Sequence, residues 1–187
     1  MKPKVVVVIP YRLEDRELAE KAKKIHEVRA GIPVRVVIVP DLLGEGWVAL
    51  QNFMFHLSDE PYYVYSCADY FPGKGYLKIA MEAMKRYNKK LAIFNDGKWR
   101  GHLATAALVD KTLIGGEYGT DLFFNGYFAN YADPELTDYA MYKHEVVYNA
   151  DAVLMEVDYD KETKPHLNQK DRAIYNSREV PWPKQFL

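Results

Sequence analysis

Continuous apolar, β-branched runs alternate along this chain with stretches in which apolar residues recur every three or four positions. Val5–Ile9 is apolar throughout, the pattern of a strand buried on both faces of a parallel sheet. Pro10 ends it. Glu14–Ala30 carries Leu18, Ala22, Ile25 and Val28 at helical spacing among charges, and Gly31 supplies the stop. Val34–Val39 is a second β-branched strand, closed by Pro40-Asp41. The three predict a strand–helix–strand unit with a right-handed crossover. Trp47–Leu57 reads as a helix and Tyr62–Ser66 as a third strand. Gly75–Arg86 reads as a helix with Leu77, Ala80, Met81 and Met84 on its apolar face, and Leu91–Phe94 as a fourth strand.

The second half is denser in β signals. Leu103–Val109 and Thr112–Ile114 read as a strand or a strand–turn–strand, and Gly115-Gly116 opens a loop. Pro134–Lys143 reads as a helix capped by Asp133, with proline at its first position. Val146–Tyr148 and Ala152–Val157 read as strands of a terminal hairpin. From Asp158 the chain turns polar. Residues 1–160 are expected to form one domain, and 161–187 a tail that wraps it as a lid over the site or frays. The alternation predicts an α/β fold, a doubly wound, mixed, mostly parallel sheet flanked by helices.

Composition narrows the function classes. The 187 residues are 49% hydrophobic and 27% charged, which sets disorder aside. A formal net charge of -1 argues against a nucleic-acid partner held by a general basic field. The lone Cys67 excludes an internal disulfide and a multi-thiolate zinc site; an inert core thiol is expected. No apolar run is long enough for a signal segment or a membrane span, so a cytoplasmic setting is the default expectation. The 15 tyrosines and 3 tryptophans suit a carbohydrate site, but equally a core.

Candidate chemistry centres on Tyr62–Leu77, YYVYSCADYFPGKGYL. Asp69 follows a strand and precedes a Pro-Gly turn and a helix, so it stands at the sheet edge where open α/β folds bind ligands. As a turn residue it would only bond backbone N–H groups; as a ligand it would hold a hard cation shared with a diphosphate. Asp133 is a helix cap on the bland reading and a general base on the functional one, with Asp121 as understudy. Lys98-Trp99-Arg100-Gly101 is a basic aromatic loop, suited to a phosphate or a sugar ring or merely exposed. His166 lies among polar residues, with Lys170 and Arg172 close by. His26, His56, His102 and His144 read as ordinary helix and loop residues.

In order and spacing, residues 1 to about 160 resemble a compact glycosyltransferase of the GT-A fold, related to the large family-two group. Pro10-Tyr11 matches the Pro-aromatic pair ending the first strand, and Asp41 the acid ending the second. Gly46–Asn52 matches a G-x-x-x-A-x-N segment with its spacing off by one, and Cys67-Ala68-Asp69 an Asp-x-Asp metal motif. The resemblance implies that Pro10, Tyr11, Arg12 and Asp41 hold the nucleoside of a UDP- or GDP-sugar. Asn52, Ala68 and Asp69 would complete the nucleotide-sugar site. Mn²⁺ or Mg²⁺ would sit on Asp69, joined by His166 from the tail. Asp133 would deprotonate the hydroxyl of a glycan or other acceptor in an inverting transfer. Two departures stand out: Cys67 replaces the first acid of the metal motif, and a helix and strand found in longer relatives after Asp41 are missing. A nucleotidyltransferase would need a glycine-rich loop after the first strand, which PYRLEDRELAE lacks. A degenerate domain that binds nucleotide-sugars or glycans without turnover remains the alternative.

Overall fold

The computed structural model describes residues 3–157 and 166–186. Its sheet contains β1 (Val5–Tyr11), β2 (Val34–Pro40), β3 (Tyr62–Tyr65), β4 (Tyr70–Pro72), β5 (Leu91–Asn95), β6 (Ala107–Asp110) and β7 (Val146–Glu156). The strand order is β2-β1-β3-β6-β5-β7-β4. β1 pairs in parallel with β2 and β3, and β5 with β7; β6 is antiparallel to β3 and β5, and β4 to β7. Strands β1, β2, β3, β5 and β7 therefore point one way, and β4 and β6 the other. The sheet is mixed and mostly parallel, as the alternation predicts.

Helices α1 (Arg16–Arg29) and α3 (Tyr76–Tyr87) supply one core, and α2 (Trp47–Leu57), α4 (Ala132–Tyr142) and α5 (His166–Ser177) the other. The unbroken valines of β1 serve both cores. Val5, Val7 and Ile9 pack with Ala19, Ala22, Leu77 and Ala80, whereas Val6 and Val8 pack with Val48, Phe55, Leu136 and Tyr175. All five side chains are fully buried, each worth roughly 1.5–3 kcal/mol relative to exposure.

Several expectations shift. Pro10 does not end β1; it lies inside it, paired with Val39 of β2. Val146–Glu156 is one long strand and no hairpin. Its first half pairs with β5 and its far half with β4, across a register shift between Ile93 and Asn95. A bulge takes up the residues that read as a turn. α4 starts two residues early, with Tyr131 as its N-cap at φ 64, so Asp133 is a first-turn residue and not the cap. Thr112 lies in a short 3-10 turn, not a strand. Cys67 is partly buried in the turn beyond β3, packed against the core and not inside it.

The buried face of α1 is also rotated from the expected stripe. Val28 is 84% exposed, and His26 is fully buried in its place. The His26 imidazole is 2.5 Å from the Tyr76 hydroxyl through Nδ1. Burial lowers its pKa to about 4, partly offset by the Tyr70 backbone. Unfolded chains would take up a proton at this histidine from pH 6.5 downward, and the folded one would not until about 4. Its contribution is therefore intact above pH 6.5 and is lost as pH falls toward 4, by about 3 kcal/mol in all. Denaturant titrations at pH 7 and pH 4 test this: His26→Gln should show a smaller loss between them than the parent chain, by about that amount.

Candidate functional site

The parallel strands β1, β2, β3 and β5 end on one edge of the sheet, followed by Arg12, Asp41, Ser66–Asp69 and Asp96 respectively. α1 leaves β1 on one face and α2 leaves β2 on the other, so the topology switches between β1 and β3, where such sheets open a crevice. The β1–β3 ladder runs to Val8↔Tyr65, with the Ser66 N–H donating to Val8 O at 3.1 Å. In a parallel ladder the next donor to the Ser66 carbonyl would be residue 10. That residue is proline and has no N–H. The carbonyl instead accepts from the Trp47 indole at 3.1 Å and the Gln51 amide at 3.2 Å. The strands are released from one another at the edge, and α2 fixes the turn that carries Cys67, Ala68 and Asp69.

Asp41 sits beside Tyr11, its N–H donating to Tyr11 O at 2.9 Å. Its carboxylate accepts the N–H groups of Glu45 at 2.9 Å and Gly46 at 3.1 Å, closing the loop into α2. Arg12 is exposed and held by Asp15 at 2.9 Å. Asn52 is buried, and its amide is used on the chain itself: it donates to Phe123 O at 3.0 Å and accepts from Phe123 N–H at 2.9 Å. The structure thus brings Pro10, Tyr11, Asp41, Ala68 and Asp69 to one edge, and places Asn52 behind it as a brace.

Asp69 is 7% exposed, and its carbonyl accepts from Val157 N–H at 3.0 Å where β4 meets the far half of β7. The Tyr70 hydroxyl lies 3.4 Å from Glu156. Its pKa is raised mainly by burial, with Cys67, Glu156 and Asp133 adding to the rise and Thr105 opposing it. Burial also raises the Tyr65 pKa, and Asp133 adds to that too. The negative charge of Asp133 is therefore felt on the strand end that carries Asp69. α4 is tied there through Ala104, whose carbonyl accepts from Tyr65 at 2.7 Å and whose N–H donates to Thr137 at 3.0 Å. Asp121, by contrast, pairs with His56 of α2 at 2.6 Å. His166 opens α5, but its side chain lies outside the described residues.

Other residues at this edge escaped the sequence reading. Asp96 is buried at the end of β5, accepts the N–H groups of Lys98 and Trp99 at 2.8 Å each, and takes the Thr105 hydroxyl at 2.9 Å. It builds the Lys98–Gly101 loop, and its signal in the sequence, an acid after a strand and before glycine, resembles that of Asp69. Glu156 gave no such signal. An open depression of about 730 Å³ along Arg16, Glu20 and Lys24 of α1 shares no residue with the edge.

A cation bridging a diphosphate takes one or two protein carboxylates and completes its shell with phosphate and water. With Cys67 in the first motif position, Asp69 is the carboxylate available from that motif, which meets the minimum. Among the described residues no group of three or more His, Cys, Asp or Glu could enclose a metal alone. Nor, among them, is any helix long and apolar enough to cross a membrane.

The chain has the GT-A fold. It superposes on a mannosyltransferase from Pyrobaculum calidifontis, solved with GDP-Man and Mn²⁺, with a TM-score of 0.65 and 16% identity over 97% of this chain and 66% of that one. It matches TarS 1–349 of S. aureus with a TM-score of 0.64 and 12% identity, over 82% of this chain and 60% of that one. A mutant Drosophila galactosyltransferase 7 with manganese, UDP-Gal and xylobiose matches at 0.64 and 13%, over 95% of this chain and 81% of that one. The chain thus spans 60% to 66% of the first two proteins. At these identities the likeness is one of fold. No protein-family model and no curated protein matches the sequence.

The approach of α2 to the loop before α4 depends on Gly46. Its φ is 90 and ψ 167, a region nearly closed to other residues, and an added Cβ would lie 2.6 Å from Phe128 O. Gly46→Ala should therefore lose at least about 2 kcal/mol of stability in denaturant unfolding.

Proposed function

We propose that this chain is a glycosyltransferase catalytic unit that moves a sugar from a nucleoside diphosphate to an acceptor hydroxyl. The observation that carries the reading is the meeting of Tyr11, Asp41 and Asp69 on one sheet edge, with the charge of Asp133 acting on the same strand end. Solved proteins of this fold are described with GDP-Man, UDP-GlcNAc or UDP-Gal, two of them with manganese, which supports that donor class.

Pro10, Tyr11, Arg12 and Asp41 bind the nucleoside side of the donor, beside Ala68 and Asp69. Asp69, joined by His166 as the resemblance implies, would hold Mn²⁺ or Mg²⁺, which would supply positive charge against the departing diphosphate. Asp133 lies in the first turn of α4, at the positive end of that helix dipole. It takes the acceptor proton as the hydroxyl oxygen bonds to the anomeric carbon. The bond from that carbon to the diphosphate oxygen breaks, and the electron pair leaves with the diphosphate. Attack opposite the leaving group inverts the configuration. The exposed Trp99, on the loop built by Asp96, offers a ring face to a sugar.

Cys67 in the first acid position favours a second reading, a domain that binds nucleotide-sugars without transfer. Calorimetry and turnover separate the two. With Mn²⁺ and UDP-GlcNAc, UDP-Gal or GDP-Man, the chain should release the nucleoside diphosphate, and Asp69→Asn should abolish that release. Asp133→Asn should keep donor binding and lose at least about 10²-fold in turnover. Metal-dependent binding with no turnover by the parent chain would establish the binding module, and undiminished activity of Asp69→Asn would remove the metal assignment.

A further inference from the structure

Asp171 of α5 is a buried acid to which neither the fold nor the proposed reaction assigns a role. It is 1% exposed. Its carboxylate accepts three consecutive backbone N–H groups, from Phe128 at 3.0 Å, Ala129 at 2.9 Å and Asn130 at 2.8 Å. Successive N–H groups converging on one anion form a nest, and here the anion belongs to the chain itself. A carboxylate so placed makes charge-assisted bonds, about twice as strong as neutral ones.

The loop that Asp171 holds joins both halves of the candidate site. Phe128 O accepts from Val48 N–H at 3.1 Å, and the close approach of Phe128 to Gly46 ties it to the Asp41 loop. In the other direction the chain passes through Tyr131, left-handed at φ 64, straight into α4. Asp133 follows two residues later. The Tyr131 ring packs on Tyr175 of α5, with centroids 5.2 Å apart. Other ties from the C-terminal segment, Tyr175 to Asp138 at 2.5 Å and Arg178 to Glu135 at 2.9 Å, grip later residues of α4. Of these hydrogen bonds, those to Asp171 are the ones that reach the loop leading into α4.

We propose that Asp171 is a positioning residue: by filling the nest at Phe128–Asn130 it fixes the start of α4 and so the placement of Asp133 against the edge that carries Asp69. This rests on the reading of Asp133 as the base. Asp171→Asn puts an amide where a second acceptor oxygen stood. With Mn²⁺ and whichever of UDP-GlcNAc, UDP-Gal and GDP-Man turns over, kcat should fall at least about tenfold while KM for the donor stays within about threefold. Tyr175→Phe, which removes one α5–α4 bond and keeps the ring, should lower the thermal midpoint and leave kcat unchanged.

A ligand-free measurement runs beside it. Amide exchange followed by mass spectrometry should quicken at least about tenfold over residues 128–136 in Asp171→Asn and stay native over α3. Native exchange over 128–136, or a native kcat, overturns the proposal. Should Asp171→Asn not fold, Asp171→Ser, which keeps one acceptor oxygen, is judged by the same two readouts. Asp133→Asn separates the failures: full turnover there refutes the base, whereas loss there with native kcat in Asp171→Asn refutes the positioning role alone.

Discussion

One missing hydrogen bond shapes this site. Pro10 cannot donate to the carbonyl of Ser66, so the ladder between β1 and β3 stops at Val8↔Tyr65 while β1 runs on to Tyr11. A buried carbonyl left without a donor would cost about 1–3 kcal/mol, and Trp47 and Gln51 prevent that loss by donating to it. The substitution of side-chain donors for a backbone donor lets the two strands diverge without leaving a polar group unsatisfied. It also makes α2 part of the site's foundation, since the turn through Cys67, Ala68 and Asp69 hangs from the residue that α2 holds.

The acids near this edge are divided by what their oxygens do. Asp41 and Asp96 accept backbone N–H groups and build loops. Asp69 follows β3, and Asp133, in the first turn of α4, adds to the effect of burial in raising the Tyr65 and Tyr70 pKa. Glu156 and Thr105 both interact with the Tyr70 hydroxyl.

The sequence showed β1 and β2 because each is a run of β-branched residues, and β3 and β5 because each is a short apolar, aromatic-bearing run bounded by polar residues. It read Ala22 and Leu18 of the α1 stripe correctly but misplaced its C-terminal end, because Val28 looks more apolar than His26. Packing against Tyr76 decided the matter. β4 was invisible: three residues ending in proline carry no periodicity, and the strand exists because β7 is long enough to pair with it. The turn read into Asn149–Asp151 became a bulge for the same reason. Asp41, Asp69 and Asp133 were legible because an acid just past a strand, or at a helix start, is a local signal. Asp171 was not, since its partners lie more than 40 positions away.

The C-terminal segment explains how so short a chain keeps its second face dry and its helix acids sorted. Tyr175 and Trp182 are buried in the same core as Val6, Val8 and Tyr65, covering apolar sheet that α2 and α4 alone leave open. α4 contributes Asp133, Glu135 and Asp138. Glu135 accepts from Tyr127 at 2.6 Å and from Arg178 at 2.9 Å, and Asp138 accepts from Tyr175 and from the Gln185 backbone. Removing one partner of a buried pair costs about 3–5 kcal/mol, so these two acids are committed to holding the segment in place. Asp133, half-buried in the first turn of the helix, is the one whose charge reaches Tyr65 and Tyr70. The helix thus spends Glu135 and Asp138 on its own anchorage, and that anchorage holds the helix whose first turn carries Asp133.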